Sequence, residues 1–409
     1  MSVEASVHEA TPTRVNFGYQ PALDGLRAIG ITAFVLGHAG LMTDQPQLKP
    51  LAWWMGVDMF FVISGFLITS LLLRERARTD RVDLRAFYVR RVSRLYPLIV
   101  AVVSIAIVQR LVRPNAVATP SWSSIVSMAL YYSNFQQLAH PPDMYSAWGP
   151  LWSLAIEEQF YLLWPITLVV LLGRSHKLVR SIVFVCVIAV AMWVWRAYSW
   201  LGVSTSGSDF GALARAWQTF YFSSFHRPDG LFIGCAAALL LALAGSRRVD
   251  TVIRVVHRLR YLAITGVVIL AVAAAVDGHS GWQVCWGLSL FNVLMTAIIV
   301  DLVTDRTSVP SKILSCRPMQ WVGRRTYGIY VLHLALLMLV LDGLGHSSLP
   351  WIFATCVLIT IVAGLSYRFY EDPIRRLGYR LSKRLSGAEG TASAARKARK
   401  GSSGSGWAT

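Results

Sequence analysis

Two groups of side chains stand out for the chemistry they can do. His38, Asp58 and Glu157 are an imidazole and two carboxylates set inside long apolar runs, and Arg91 and Arg94 are paired guanidiniums at the mouth of another. A neutral imidazole titrates near neutrality and can take a proton from a hydroxyl while a carboxylate on its second ring nitrogen steadies it. Guanidiniums three residues apart share a helical face and suit phosphate oxygens, which they grip through paired hydrogen bonds. Arg27 and His38 link the two chemistries in one stretch, RAIGITAFVLGH. On an α-helix a step of eleven residues returns to within about 20° of the same face and covers about 16 Å. One group therefore lies near a membrane surface and the other deeper.

The elements that must position these residues are membrane helices. The 409-residue chain is 55% hydrophobic and only 15% charged, far from a soluble average. Apolar runs at 22–40, 53–73, 95–112, 150–172, 180–201, 227–245, 260–276, 283–303, 327–344 and 350–370 predict an all-α polytopic membrane protein of about ten transmembrane helices. The formal charge of +18 does not indicate nucleic acid, because 32 of the 39 Lys and Arg fall in the alternate segments that such a topology puts inside. Both termini are then cytoplasmic. The run IVSMALYYSNF, as an eleventh span, would invert the later basic loops, so 122–138 is expected to be an interfacial or re-entrant helix.

The expected organisation is a cytoplasmic segment at 1–18, a membrane domain at 19–376 and a basic disordered cytoplasmic tail at 377–409. The first span is expected to direct insertion, since no cleavable signal peptide is evident. The five Cys lack metal or disulfide spacing and read as packing residues; no metal is expected. Trp53, Trp54, Trp148, Trp152, Trp282 and Trp351, near span ends, read as interface anchors.

Ionisable groups within spans are costly, so each is a candidate. The topology sorts them into two layers. His38, Asp58, Glu157, Glu158, His226, Arg227 and Asp229 fall on the outer side; Asp24, Arg27, Arg90, Arg91 and Arg94, with Glu371, Arg375 and Arg376, fall on the inner. Ser153, Tyr330 and His333 are expected to line a path between them, as are Asp24, Arg227 and Asp229. For any single arginine, obedience to the positive-inside rule is the competing explanation. For His38 it is a packing hydrogen bond to a neighbouring helix.

The runs YQPALDGLRAIGITAFVLGH, GVDMFFVISGFLIT, FYVRRVSRLYP, WSLAIEEQFYLLWP, RPDGLFIGCAAA, RTYGIYVLH and YRFYEDPIRR, in that order over residues 19–376, resemble the acyltransferase-3 family of integral membrane O-acyltransferases. The resemblance implies a ten-helix enzyme carrying an acyl group, usually acetyl, from cytoplasmic acyl-CoA to a hydroxyl of a sugar or related acceptor. The family's Arg-x10-His element falls on Arg27 and His38, its R-x-x-R element on Arg91 and Arg94, and its SLxxE glutamate on Glu157. Many members carry an extracytoplasmic hydrolase-like domain after the last span, which this sequence does not show.

The expected roles follow. Arg27, Arg91 and Arg94 hold the CoA phosphates. His38 activates the acceptor hydroxyl or carries the acyl group itself, with Asp58 or Glu157 orienting the ring. The donor is a substrate, and no permanently bound cofactor is expected. The acceptor is expected to be a cell-envelope carbohydrate or glycolipid, with a secreted small molecule such as a macrolide as the alternative, in the plasma membrane of a bacterium. A proton-coupled transporter is the alternative of another class; it would show inverted repeats or interrupted helix pairs, which the sequence does not display.

Overall fold

A computed structural model describes residues 18–386 except 44, 46, 49–54, 115–118, 142–145, 174–177, 204–209, 278–279, 343–344 and 346–347. Among the described residues there is no strand. The helices are α1 (Pro21–Thr43), α2 (Gly56–Thr79), α3 (Leu84–Val112), α4 (Trp122–Ala129), α5 (Ser133–Ala139), α6 (Leu151–Leu172), α7 (Leu178–Leu201) and α8 (Phe210–Phe222). There follow α9 (Asp229–Leu241), α10 (Arg247–Arg258), α11 (Arg260–Asp277), α12 (Leu288–Thr304), α13 (Val309–Leu314), α14 (Arg317–Gly323), α15 (Thr326–Leu337) and α16 (Leu349–Ser366).

Among the described residues seven helices are long and apolar enough to cross a membrane, and nine if two bent pairs each count as one span. The protein is thus a multi-pass membrane protein by its helices. The bent pairs are α10 with α11, at 61°, and α14 with α15, at 67°. The expected ten is not reached, because α9 is only 13 residues long. The stretch expected at 122–138 forms two short helices rather than one. They break at Tyr131, whose φ of 54° lies in the left-handed region. The segments bearing both termini, 1–17 and 387–409, lie outside the described residues, as do Trp53 and Trp54.

Two expectations change. Residues 377–386 are not tail: the last helix runs unbroken from Leu349 to Ser386, 38 residues in all. Of the expected interface anchors, Trp148 and Trp152 are buried inside the bundle, while Trp351 is exposed. An aromatic near a span end serves packing as readily as the interface.

Local chemistry sets several helix starts. Asp83, Ser121, Ser246 and Ser308 each accept a backbone N–H of the first turn through the side chain. Outside the spans, the Arg260 guanidinium anchors the turn after α12 by bonding Asp305 at 2.6 Å and holding its carboxyl down to about 2.

Small residues permit the close crossings that carry the polar groups. A Cβ on Gly65 would stand 1.9 Å from the Leu231 carbonyl oxygen, and one on Gly234 would stand 2.2 Å from that of Val62, so α2 and α9 touch backbone to backbone. Gly25 of α1 meets Leu314, and Gly323 meets Asp24, in the same way. The first crossing fixes Asp58 against Arg227, and the second seats Arg27 beside the α14–α15 elbow. Gly234→Leu is therefore expected to force α2 and α9 apart, costing about 1–3 kcal/mol or more. Its melting temperature in detergent should fall clearly below wild type, whereas Gly202→Ala, which meets only ordinary contacts, should not move it.

Candidate active site

The N-terminal half of α3 carries Arg90, Arg91 and Arg94 on successive turns, and its apolar C-terminal half packs into the bundle. Together with α1, α2, α6, α15 and the end of the last helix it encloses a cavity of about 710 Å³. Among the described residues seven arginines line it, Arg27, Arg90, Arg91, Arg94, Arg375, Arg376 and Arg380, and no carboxylate does. Three of these were expected to act together, and the fold brings all three to one wall.

The neighbouring carboxylates are engaged behind the lining. Asp24 accepts from Tyr19 Oη at 2.6 Å and Arg27 at 3.3 Å. Glu75 takes Arg90 at 2.9 Å, and Glu158 takes Arg91 at 3.4 Å. Asp372 takes Arg375, and also Arg376 at 2.6 Å. Arg94 has no carboxylate within ion-pair distance among the described residues. The Arg91 guanidinium lies flat on Tyr161, 3.4 Å from its centroid, and Tyr161 Oη donates to Glu157 at 3.1 Å. Seven guanidiniums against these four carboxylates leave an excess of cations, which is complementary to a polyanion such as a chain of phosphates.

His38 lies further along α1. Its Nδ1 donates to the carbonyl of Phe34, one turn back, at 2.9 Å. A carbonyl only accepts, so Nδ1 carries the proton and Nε2 keeps its lone pair. His333 repeats the arrangement, with Nδ1 bonded to the Tyr330 carbonyl at 2.5 Å. The two imidazoles meet edge to face with centroids 5.1 Å apart, and Phe34 packs 4.3 Å from His38 and 5.1 Å from His333. His333 is fully buried, and its Nε2 has no hydrogen-bond partner among the described residues. Tyr330 stacks on Phe34; its Oη donates to the Pro150 carbonyl at 2.7 Å and accepts from Ser153 Oγ at 2.6 Å. Ser153, Tyr330, His333 and His38 are thus linked through Phe34 and the Tyr330 hydroxyl.

Other expectations do not survive. Asp58 does not orient His38: its carboxylate forms a two-point pair with Arg227, Nη2 to Oδ2 at 2.6 Å and Nε to Oδ1 at 3.2 Å, both side chains fully buried. Glu157 does not reach the ring either, being held at Tyr161. Nor do Glu157 and Glu158 belong to an outer layer: both stand with Arg91. Arg227 and Asp229, expected to line the path, are each taken up in a buried ion pair. Asp229 is held by Arg196, at 3.0 and 3.3 Å, with Ser289 bonding Oδ2 at 2.6 Å.

Arg196, Tyr161 and Arg380 escaped the sequence reading. Arg196 is fully buried in α7 and also bonds the carbonyls of Val284 and His226. Its signal was a lone arginine within the run AMWVWRAYSW, costly unless paired. Tyr161 was legible as the residue one turn beyond Glu157 on the same face. Nothing in the sequence separates Arg380 from the other basic residues after the last apolar run.

The family described as an acyltransferase domain, acyltransferase 3, matches residues 20–368. Peptidoglycan O-acetyltransferase OatA of Listeria monocytogenes is 30% identical over 384 residues, 90% of this chain and 57% of that protein. O-acetyltransferase OatA of Staphylococcus aureus is 28% identical over 372 residues, 88% of this chain and 58% of that protein. The chain therefore spans little more than half the length of these relatives. No solved structure matches it.

The Asp58–Arg227 pair makes a prediction of its own. Asp58→Asn strands a buried guanidinium and is expected to cost about 3–5 kcal/mol, whereas Asp58→Leu with Arg227→Met should recover most of the loss. Denaturant unfolding of the three proteins checks this; a single variant as stable as wild type would show that the pair does not hold α2 to α9.

Proposed function

As the chain belongs to the acyltransferase-3 family, we propose that it moves an acyl group, acetyl first among them, from acyl-CoA to a hydroxyl of a cell-envelope carbohydrate. The cavity of seven arginines without a lining carboxylate carries this reading. Its cation excess suits the phosphates of a CoA, and Arg94, with no carboxylate of its own, is the cation most in need of an anion. The relatives' printed names, one of them a peptidoglycan O-acetyltransferase, support acetyl as the group and a wall polysaccharide as the acceptor. The plasma membrane of a bacterium is the corresponding location.

In this mechanism Arg27, Arg91 and Arg94 hold the donor's phosphates, and the thioester lies toward His38, about 16 Å along α1. That distance suits an extended pantetheine arm. His38 Nε2, whose lone pair is kept free by the Nδ1 bond to Phe34, takes the proton of the acceptor hydroxyl. The hydroxyl oxygen then attacks the thioester carbonyl and the CoA thiolate leaves. The proton passes from the imidazolium to the departing sulfur, so that products are the O-acyl acceptor and CoA. The ring is oriented by its own helix, and no carboxylate is needed to fix its tautomer.

The test is turnover of radiolabelled acetyl-CoA by purified protein with a muropeptide acceptor. His38→Ala is expected to lose at least about a thousandfold in rate while still binding acetyl-CoA. Arg91→Ala and Arg94→Ala should each raise the KM for acetyl-CoA by about tenfold or more, leaving that for the acceptor unchanged. Absence of acetyl-CoA binding by folded wild type would overturn the donor, and full activity of His38→Ala would overturn the base.

A further inference from the structure

A second basic cavity, of about 590 Å³, lies beside the first at the end of the last helix. It is lined by Arg325, Arg368, Arg376 and Arg380 with Tyr367, Asp372, Pro373 and Leu377. We propose that it binds the phosphate headgroup of an anionic membrane phospholipid. The proposal rests on Arg325 and Arg368, which do not line the donor cavity, whereas Arg376 and Arg380 line both.

Charge balance is the first support. Four guanidiniums face one carboxylate, and that carboxylate, Asp372, is already occupied by Arg375 and Arg376. The second is preorganisation. Arg325 sits at the α14–α15 elbow with its guanidinium over Trp321 at 3.9 Å and over Tyr367 at 5.0 Å, and Nη1 donates to the Trp321 carbonyl at 2.8 Å. Arg325 Nε itself is buried and has no hydrogen-bond partner among the described residues. It is a held cation with a donor to spare.

Position is the third support. The cavity lies where the apolar stretch of the last helix gives way to its basic end, the depth of a headgroup. On the same helix Leu365, Phe369 and Leu377 are 52, 69 and 55% exposed, a surface for acyl chains running from a bound headgroup. The positive-inside rule accounts for arginines at this end of the helix. It does not require a concave site, nor a guanidinium fixed between two aromatic rings. Phosphate is the shared chemistry of a lipid and a soluble anion, and only attached chains would use the apolar flank.

Native mass spectrometry of the full chain in detergent, with equimolar phosphatidylglycerol and phosphatidylcholine, tests this. Wild type is expected to retain phosphatidylglycerol in about tenfold preference, and Arg325→Gln with Arg368→Gln to fall close to parity. An unchanged melting temperature shows the double variant folded; should it not fold, Arg368→Gln alone, at an exposed position, gives the same comparison. Excess inorganic phosphate or CoA should leave the bound lipid in place. Equal retention of both lipids by wild type, or an undiminished preference in the folded variant, would overturn the proposal. So would displacement of the lipid by inorganic phosphate, which would assign the cavity to a soluble anion.

Discussion

The Asp58–Arg227 pair, wholly buried where α2 crosses α9, is the contact on which the rest of the architecture depends. Two opposite charges withdrawn from water repay their desolvation only if the geometry is close and the remaining donors are satisfied. That demand explains the glycines at the crossing, since any side chain at Gly65 or Gly234 would lift the helices apart. It explains the aromatic wall as well, for Tyr221 lies 4.2 Å and Trp152 5.8 Å from the Arg227 guanidinium. Arg196 and Asp229 repeat the solution between α7 and α9, with Ser289 of α12 completing it. Two ion pairs thus tie four helices together in an interior where apolar packing alone distinguishes poorly between neighbours.

With those charges neutralised internally, the arginine cavity is left as the region of uncompensated charge. Its charged lining residues are all arginines, and Asp24, Glu75, Glu158 and Asp372 grip five of them from behind. Such contacts hold long, flexible side chains in place and so reduce the entropy lost when an anion arrives. The histidine cluster is the opposite case, a site built of imidazole and aromatic rings rather than of paired charges. Both imidazoles are tied at Nδ1 to the backbone of their own helices, so each presents Nε2 without help from a carboxylate.

The second basic cavity shares Arg376 and Arg380 with the first. Arg325 and Arg368 belong to the second alone, so the two cavities adjoin without sharing their full set of cations.

The sequence by itself determined the all-helical membrane class, the family motifs and the shared helical face of Arg91 and Arg94, because apolar run length and helical spacing are local properties of the chain. It also singled out His38, His333, Tyr330 and Ser153. What only the tertiary structure decided was partnership. Placing residues by depth put Asp58 and Glu157 beside His38; the packed helices sent Asp58 to Arg227 and Glu157 to Tyr161 instead. Depth is one coordinate, while which helix faces which, and at what rotation, is set by long-range packing that no run of residues encodes alone. The broken helix at Tyr131, the shortness of α9, and the helix through 377–386 escaped for the same reason: propensity and hydropathy are weak where neighbouring helices supply the missing contacts.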